Sequence, residues 1–380
     1  MVKNILRKLM PLSAKLLSVL PQKYIVFESK PDFCDNSRAV FDEIVKRELN
    51  KKYTLVWLTN NKESKLSIPN VRCAHNRILQ LYYSMRAKYL ISSNTFATSF
   101  GKHQVAIFLG HGFPLKTTFG YEAPPGVDYS IGLSDDTNYV QANEANIDVE
   151  KVITLGYPRN DALNKKNGDD IRKILGPYNK IVVWYPTFRQ HNVSKIQSAT
   201  THALPILHDS KVAARLNDFA KSLNILLVLK PHFSQDTRYI KDLNLSNILF
   251  IDDSFFVKNH ISSYEFVGAC DALITDYSSI YFDFLLCDKP VAAIWEDVDE
   301  YKKNRGFVVD IDYYFRGAHK IYNFDDFITF LDKLNIGDDN LTEERRSITK
   351  EIHKYVDFCS TERVVNFIEN LGNKQIEKFV

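Results

Sequence analysis

From residue 23 onward, short apolar runs alternate with amphipathic stretches, and the alternation stops and starts again at a polar break. Residues 24–27, 53–58, 89–92, 105–109 and 152–155 read as strands. Residues 41–49, 78–86 and 138–145 carry helical spacing between them. Strands that alternate with helices make βαβ units and a parallel sheet. Residues 164–170, NKKNGDD, are too polar for either element and read as a linker. The pattern then resumes with strands at 181–185, 225–229, 248–251, 272–275 and 291–294 and helices at 212–222, 279–287 and 324–334. A helical tail covers 342–371, with a break near Cys359 and Ser360. The fold class expected is therefore α/β, with two Rossmann-like domains, 1–168 and 169–380, facing a cleft. In open α/β sheets ligands bind beyond the carboxyl ends of the strands, so the residues that follow each strand matter most.

A chain of 380 residues is long enough for two such domains. Lys and Arg total 49 against 46 Asp and Glu, a net charge of +3. That balance excludes a strongly basic nucleic-acid coat and a strongly acidic tail protein. The five cysteines, Cys34, Cys73, Cys270, Cys287 and Cys359, form no Cys-x-x-Cys pair. A disulfide framework or zinc knuckle is not supported, and a reducing compartment fits.

Charge is concentrated at the amino terminus. Lys3, Arg7, Lys8, Lys15, Lys23 and Lys30 face only Glu28 within residues 1–30, a local excess of five positive charges. Ile5, Leu9, Leu12, Leu16 and Leu20 fall on one helical stripe, and Pro11 kinks it. Lys15 interrupts the apolar centre that a secretory signal needs, and no apolar run reaches the length of a membrane span. Such a helix either packs on the fold or lies on an anionic membrane surface.

Five motifs sit at expected strand ends or domain junctions. Gly110-His111-Gly112, with Pro114 and Lys116 after it, places a histidine between two glycines. Imidazole there suits proton abstraction from an alcohol, and it suits equally a turn that bonds only backbone. Lys230-Pro231-His232 ends another strand with a cation and an imidazole that suit phosphate oxygens, and taken alone it reads equally as a surface lysine beside a loop histidine. Tyr185-Pro186-Thr187-Phe188-Arg189 adds a hydroxyl and a guanidinium able to clamp phosphate, or else forms an ordinary β-turn with a solvated Arg189. Thr275-Asp276-Tyr277-Ser278-Ser279 precedes a helix that holds Asp283, where serines either cap the helix or leave its amides to a phosphate. Gly156-Tyr157-Pro158-Arg159-Asn160-Asp161 closes the first half and reads as a hinge with an exposed Arg159. The polar stretch 190–203 reads as a long loop, of a length that is usually functional or mobile. No Gly-x-Gly-x-x-Gly, P-loop or His-Glu-x-x-His sequence is present, and no metal site or cofactor is expected.

Taken in order, these segments resemble the CDP-glycerol glycerophosphotransferases of teichoic acid and related polyol-phosphate polymer synthesis. The resemblance spans about residues 105–370 and includes Arg305-Gly306-Phe307 and the tail from Ser360 to Val365. It implies a glycosyltransferase-B-like fold, with the acceptor on the first domain, the donor on the second and the C-terminal helices crossing back. It implies CDP-glycerol as donor and a lipid-linked saccharide as acceptor, whose hydroxyl attacks the β-phosphorus while CMP leaves. By the same resemblance His111 is the general base and His232 stabilises the phosphate and leaving group. Lys230, Arg189 and the Ser278/Ser279 helix start hold the pyrophosphate. Thr187, Asp276 and Asp283 contact CMP or support the site, and Lys116, Arg159 and Thr275 complete the substrate-binding set. Ribitol phosphate or a nucleotide sugar is the alternative donor on the same scaffold, and a catalytically silent scaffold is the non-enzyme alternative. The short stretch before the recognised motifs favours a primase-like single addition. A cytosolic donor and an anchored acceptor place the protein peripherally at the cytoplasmic face of the membrane, with no nucleic-acid partner.

Overall fold

The computed structural model describes residues 23–117, 123–164, 168–187, 204–231 and 243–372. They form two compact units that are not two consecutive stretches. The first contains residues 23–111, 123–161 and 353–372, and the second contains 112–117 and the described residues from 162 to 352. The expected basic helix at the amino terminus, the loop 190–203, Arg189 and His232 lie outside the described residues.

The first unit is built on strands β1 (Tyr24–Glu28), β2 (Thr54–Leu58), β3 (Val71–Ala74), β4 (Ala87–Ser92), β5 (Val105–Phe108), β6 (Tyr129–Gly132) and β7 (Val152–Thr154). They pair in parallel in the order β3-β2-β1-β4-β5-β6-β7. That is the Rossmann order with a seventh strand added. Helices α1 (Asp35–Lys46), α2 (Arg77–Met85) and α3 (Asn138–Ala145) connect them. Strands in a parallel sheet are covered on both faces and so read as apolar runs. Phe27 of β1 and Trp57 of β2 stack 5.4 Å apart, and Phe41 of α1 meets both rings.

Two strands of this sheet fall outside the expected set for a physical reason. β3 reads VRCA and lies at the sheet edge, where an arginine is tolerated, and β6 reads YSIG, in which Ser130 donates to the Phe108 carbonyl. Neither forms an apolar run. Helix α1 begins six residues before the expected start, because its first turn is polar yet inward-facing. Asn36 and Ser37 are both buried there, and the Ser37 amide and hydroxyl meet the Ser93 hydroxyl.

The second unit is a six-stranded parallel sheet in the order β10-β9-β8-β11-β12-β13. Its strands are β8 (Lys180–Trp184), β9 (Ile225–Leu229), β10 (Ile248–Phe250), β11 (Ala272–Thr275), β12 (Val291–Ile294) and β13 (His319–Ile321). Its helices are α4 (Gly168–Leu175), α5 (Ser210–Ser222), α6 (Asp253–Asn259), α7 (Ser263–Ala269), α8 (Ile280–Phe284), α9 (Val298–Asn304), α10 (Ile311–Tyr314), α11 (Phe324–Ile336) and α12 (Thr342–Ile352). One apolar cluster joins Trp184, Leu227, Ile274 and Ile294 of the sheet to Leu216 of α5 and Phe327 and Leu331 of α11. Residues 168–170, expected in a linker, open α4 instead. Asp169 and Asp170 stand in its first turn, where acidic groups complement the helix dipole. The chain returns to the first unit through α13 (Ser360–Gly372), which packs on α1, and Arg47 bridges to Glu369 at 2.9 Å.

Candidate active site

In the first unit, β5 delivers the chain to Leu109, Gly110 and His111. Gly110 has φ +71°, and a Cβ there would stand 3.2 Å from the Tyr157 ring. The left-handed conformation and the close ring together require glycine. His111 is exposed at this turn, beyond the carboxyl end of β5.

The turn is held by a residue that sequence reasoning missed. Asn36, fully buried at the start of α1, donates to the carbonyls of Leu109 at 3.2 Å and Gly110 at 2.8 Å. Its own oxygen accepts from the Arg159 amide at 2.9 Å. The signal available was the polar Asp-Asn-Ser run after the first strand, but nothing local says what Asn36 touches.

Arg159 is not the exposed hinge arginine that the sequence suggests. Its guanidinium pairs with Asp35 at 2.9 Å, and both side chains are about nine-tenths buried. The pairing is spent inside the unit, where it holds the 156–161 turn against α1. Asp161 accepts from the Ser360 and Thr361 amides at 2.9 and 2.7 Å, so it anchors the start of α13. Burial pushes its carboxyl up, and those hydrogen bonds oppose the rise.

In the second unit the candidates gather at the ends of β8, β9 and β11. The Thr187 amide donates to Asp276 at 2.7 Å, and the Thr187 hydroxyl donates to the other Asp276 oxygen. Thr275 donates to the Tyr185 carbonyl at 2.8 Å, which ties the end of β11 to the end of β8. Lys116 joins them from the segment after His111, with its ammonium 3.5 Å from the Thr187 hydroxyl and 5.7 Å from the Tyr301 ring centre. That segment is positioned by a bridge between Lys116 and Phe307, and the Thr117 amide donates to the Gly306 carbonyl. Lys116, Thr187, Thr275, Asp276 and the Arg305-Gly306-Phe307 turn therefore form one cluster. Asp276 is buried and directs both oxygens at Thr187, so it fixes that threonine in place.

Lys230 follows β9. Its ammonium is 3.0 Å from Asp253 and lies over the rings of Tyr185 and Phe256 at 5.8 and 6.0 Å. Ser278 and Ser279 are half-buried before α8, and Ser279 makes no side-chain capping bond. Asp283 is buried within α8 and accepts from Tyr264 at 2.6 Å, a supporting position rather than a surface contact. Among the described residues no group of three or more His, Cys, Asp or Glu is gathered as a metal site.

These strand-end clusters carry the motifs of a recognisable family. The family model for CDP-glycerol:poly(glycerophosphate) glycerophosphotransferase matches residues 12–370. A teichoic acid poly(glycerol phosphate) polymerase of Bacillus spizizenii is 25% identical over 345 residues, covering 82% of this chain and 84% of the relative. A teichoic acid glycerol-phosphate primase of Bacillus subtilis is 22% identical over 377 residues, covering 88% and 89%. A teichoic acid ribitol-phosphate primase of Bacillus spizizenii is 25% identical over 338 residues, covering 80% and 81%. Among solved structures, the wall teichoic acid polymerase TagF aligns over 99% of this chain and 97% of its own, with a TM-score of 0.75 at 21% identity. The S. aureus MnaA–UDP co-structure aligns over 92% of this chain and 97% of its own, with a TM-score of 0.53 at 15% identity. With two parallel-sheet units of glycosyltransferase-B-like fold, the chain belongs to the CDP-glycerol:poly(glycerophosphate) glycerophosphotransferase family, among the teichoic acid polyol-phosphate transferases and polymerases.

Proposed function

We propose that this chain transfers glycerol phosphate from CDP-glycerol to a hydroxyl of a lipid-linked saccharide, releasing CMP. The observation that carries the reading is the cluster of Lys116, Thr187 and Asp276 at the ends of β8 and β11, with Lys230 at the end of β9. Two ammonium groups and an oriented hydroxyl at strand ends suit a nucleotide diphosphate. Support for the donor also comes from TagF, one variant of which was solved after a CDPG soak.

In this reading the second unit holds the donor and the first serves the acceptor. His111 takes the proton of the acceptor hydroxyl as its oxygen bonds to the β-phosphorus. The bond from that phosphorus to the CMP oxygen breaks, and CMP leaves with the electron pair. Lys116 and Lys230 offset the charge on the pyrophosphate, and Thr187 orients it. His232, Arg189 and the Ser278/Ser279 helix start keep the roles that the family resemblance implies. Arg159 supports the His111 turn instead of binding substrate.

The relatives include both glycerol and ribitol types, and both primases and polymerases. CMP release measured side by side with CDP-glycerol, CDP-ribitol and UDP-sugars tests the donor. Turnover with CDP-glycerol at least about tenfold above the others supports the reading, and a preference for CDP-ribitol or a UDP-sugar overturns it. Product mass at large donor excess separates one added unit from a ladder.

The reading places the protein at the cytoplasmic membrane surface, where a nucleotide donor meets an anchored acceptor. Among the described residues no helix is long and apolar enough to cross a membrane.

A further inference from the structure

Arg305 ends helix α9 and opens the turn that runs beside Lys116. Its amide donates to the Tyr301 carbonyl at 2.9 Å, and Gly306 follows at φ +73°. Phe307 bridges to Lys116, and the Gly306 carbonyl accepts from the Thr117 amide at 3.2 Å. A Cβ on Gly306 would stand 3.1 Å from the Thr117 hydroxyl, so the two segments lie in contact. Phe307 stacks on Tyr301 with ring centres 5.4 Å apart, and Tyr301 lies 4.4 Å from Tyr277, which follows β11. A backbone bridge and a row of rings thus fix Arg305 within the second unit's cluster, next to the lysine that reaches the Thr187 hydroxyl.

The Arg305 side chain is half-buried, its Nε is buried without a hydrogen-bond partner, and no carboxylate among the described residues pairs with its guanidinium. The acids of α9, Asp299 and Glu300, stand in the first turn, while Lys302 and Lys303 stand in the last turn beside Arg305. Lys302 is paired with Asp312 at 2.9 Å. The buried carboxylates of the cluster point elsewhere: Asp276 accepts from Thr187, and Asp297 accepts from the Tyr277 phenol at 2.8 Å. A buried cationic donor without a partner is costly, and an anion that supplies one is correspondingly favoured. We infer that Arg305 is a donor-binding residue whose guanidinium takes a phosphate of the nucleotide diphosphate beside Lys116. This rests on the reading of the cluster as the donor site. A planar fork of N–H groups meets two phosphate oxygens at once, which an ammonium does not.

The test compares Arg305→Gln, Arg305→Lys and Lys303→Gln with the parent enzyme. CMP release gives the KM for CDP-glycerol, inorganic pyrophosphate is the competing anion, and circular dichroism checks the fold. Arg305→Gln is expected to raise that KM about tenfold or more and to weaken pyrophosphate inhibition by a similar factor, the scale of one lost hydrogen bond to a charged group. Arg305→Lys recovers only part of both, because it restores the charge without the fork. Lys303→Gln, an exposed site two residues away, leaves both within about twofold of the parent, which separates a direct contact from the general field. A folded Arg305→Gln enzyme with parental KM and parental pyrophosphate inhibition overturns the inference. Should Arg305→Gln fail to fold, Arg305→Lys decides: parental values for both quantities overturn the inference in the same way. A parent enzyme that releases nucleotide only from another donor overturns the CDP-glycerol reading instead, and the same variants measured with that donor still decide the role of Arg305.

Discussion

The side-chain nitrogen of Asn36 lies 2.8 Å from the carbonyl oxygen of Gly110, across 74 residues of sequence. The same nitrogen reaches the Leu109 carbonyl, so one buried amide closes the turn that presents His111. Asn36→Ala leaves two buried carbonyls without a donor, at a cost of about 1–3 kcal/mol. Asn36→Asp replaces the donor with an acceptor facing the same carbonyls and should cost at least as much. Chemical denaturation gives the stability loss. Turnover is expected to fall further than the folded fraction accounts for, because the proposed base, His111, is misplaced, and parental turnover in folded Asn36→Ala would exclude that role.

Gly110→Ala tests the same turn from the backbone. An alanine at φ +71° strains the chain by about 1–2 kcal/mol, and its methyl group meets the Tyr157 ring. The expected outcome is lower stability together with lower kcat. Gly110→Ala combined with Tyr157→Leu should recover some stability by relieving the contact, without recovering kcat.

In the proposed reading the Thr187 hydroxyl, held by Asp276, faces the donor. Thr187→Ser keeps both hydrogen bonds to Asp276 and should leave CMP release near the parent level. Thr187→Val removes the hydroxyl and leaves one oxygen of a buried carboxylate without that partner. The KM for CDP-glycerol is expected to rise about tenfold, the scale of one lost hydrogen bond to a charged group. An unchanged KM would separate Thr187 from the donor.

Asp339 and Arg345 give a stability prediction that depends on pH. Arg345 is buried and Asp339 nearly so, and the Arg345 guanidinium meets both carboxylate oxygens, one at 3.2 Å and the other at 2.5 Å. Burial pushes the Asp339 carboxyl up, but the hydrogen bonds and charge of Arg345 outweigh it and hold the carboxyl below its usual range. A depressed folded-state value means the stabilisation is present above the unfolded value, about pH 3.9, and is lost as pH falls through the folded value. Asp339→Asn leaves a buried cation short of its partner, with an expected cost of about 3 kcal/mol at pH 7. Urea unfolding at pH 7 and at pH 3 should show the gap between parent and variant closing in acid. A gap of equal size at both values would assign the loss to packing.

The basic segment at the amino terminus makes a separate prediction about the membrane. Co-sedimentation with vesicles rich in anionic lipid should fall as salt rises, because surface attraction is screened within about 10 Å at 0.1 M. It should fall further in the combined Lys3→Ser, Arg7→Ser, Lys8→Ser and Lys15→Ser variant, at about 1 kcal/mol per charge removed. Unchanged sedimentation in that variant would remove this segment from the membrane contact.

What the sequence determined by itself is the part of the fold that depends on neighbouring residues. β9, β11 and β12 are apolar runs bounded by turn residues, and each is legible from a window of a few positions. Helix α3 is legible in the same way. β3, β6 and β13 are not, because the edge positions of β3 and β13 and the hydrogen-bonded Ser130 of β6 make strands without an apolar run. The site divides along the same line. Thr187, Lys230 and Asp276 could be named from their places after strands of one sheet, since a parallel sheet puts all its carboxyl ends on one edge. The partners of those residues could not. Arg159 looks exposed in sequence because its neighbours are turn residues, yet Asp35, 124 positions away, takes up its charge. Asn36 looks like an ordinary helix start, yet its amide reaches the Leu109 and Gly110 carbonyls. Their meaning comes from which strand ends lie side by side, and that order, β1 beside β4 and β4 beside β5, is fixed only when the whole sheet closes its apolar faces.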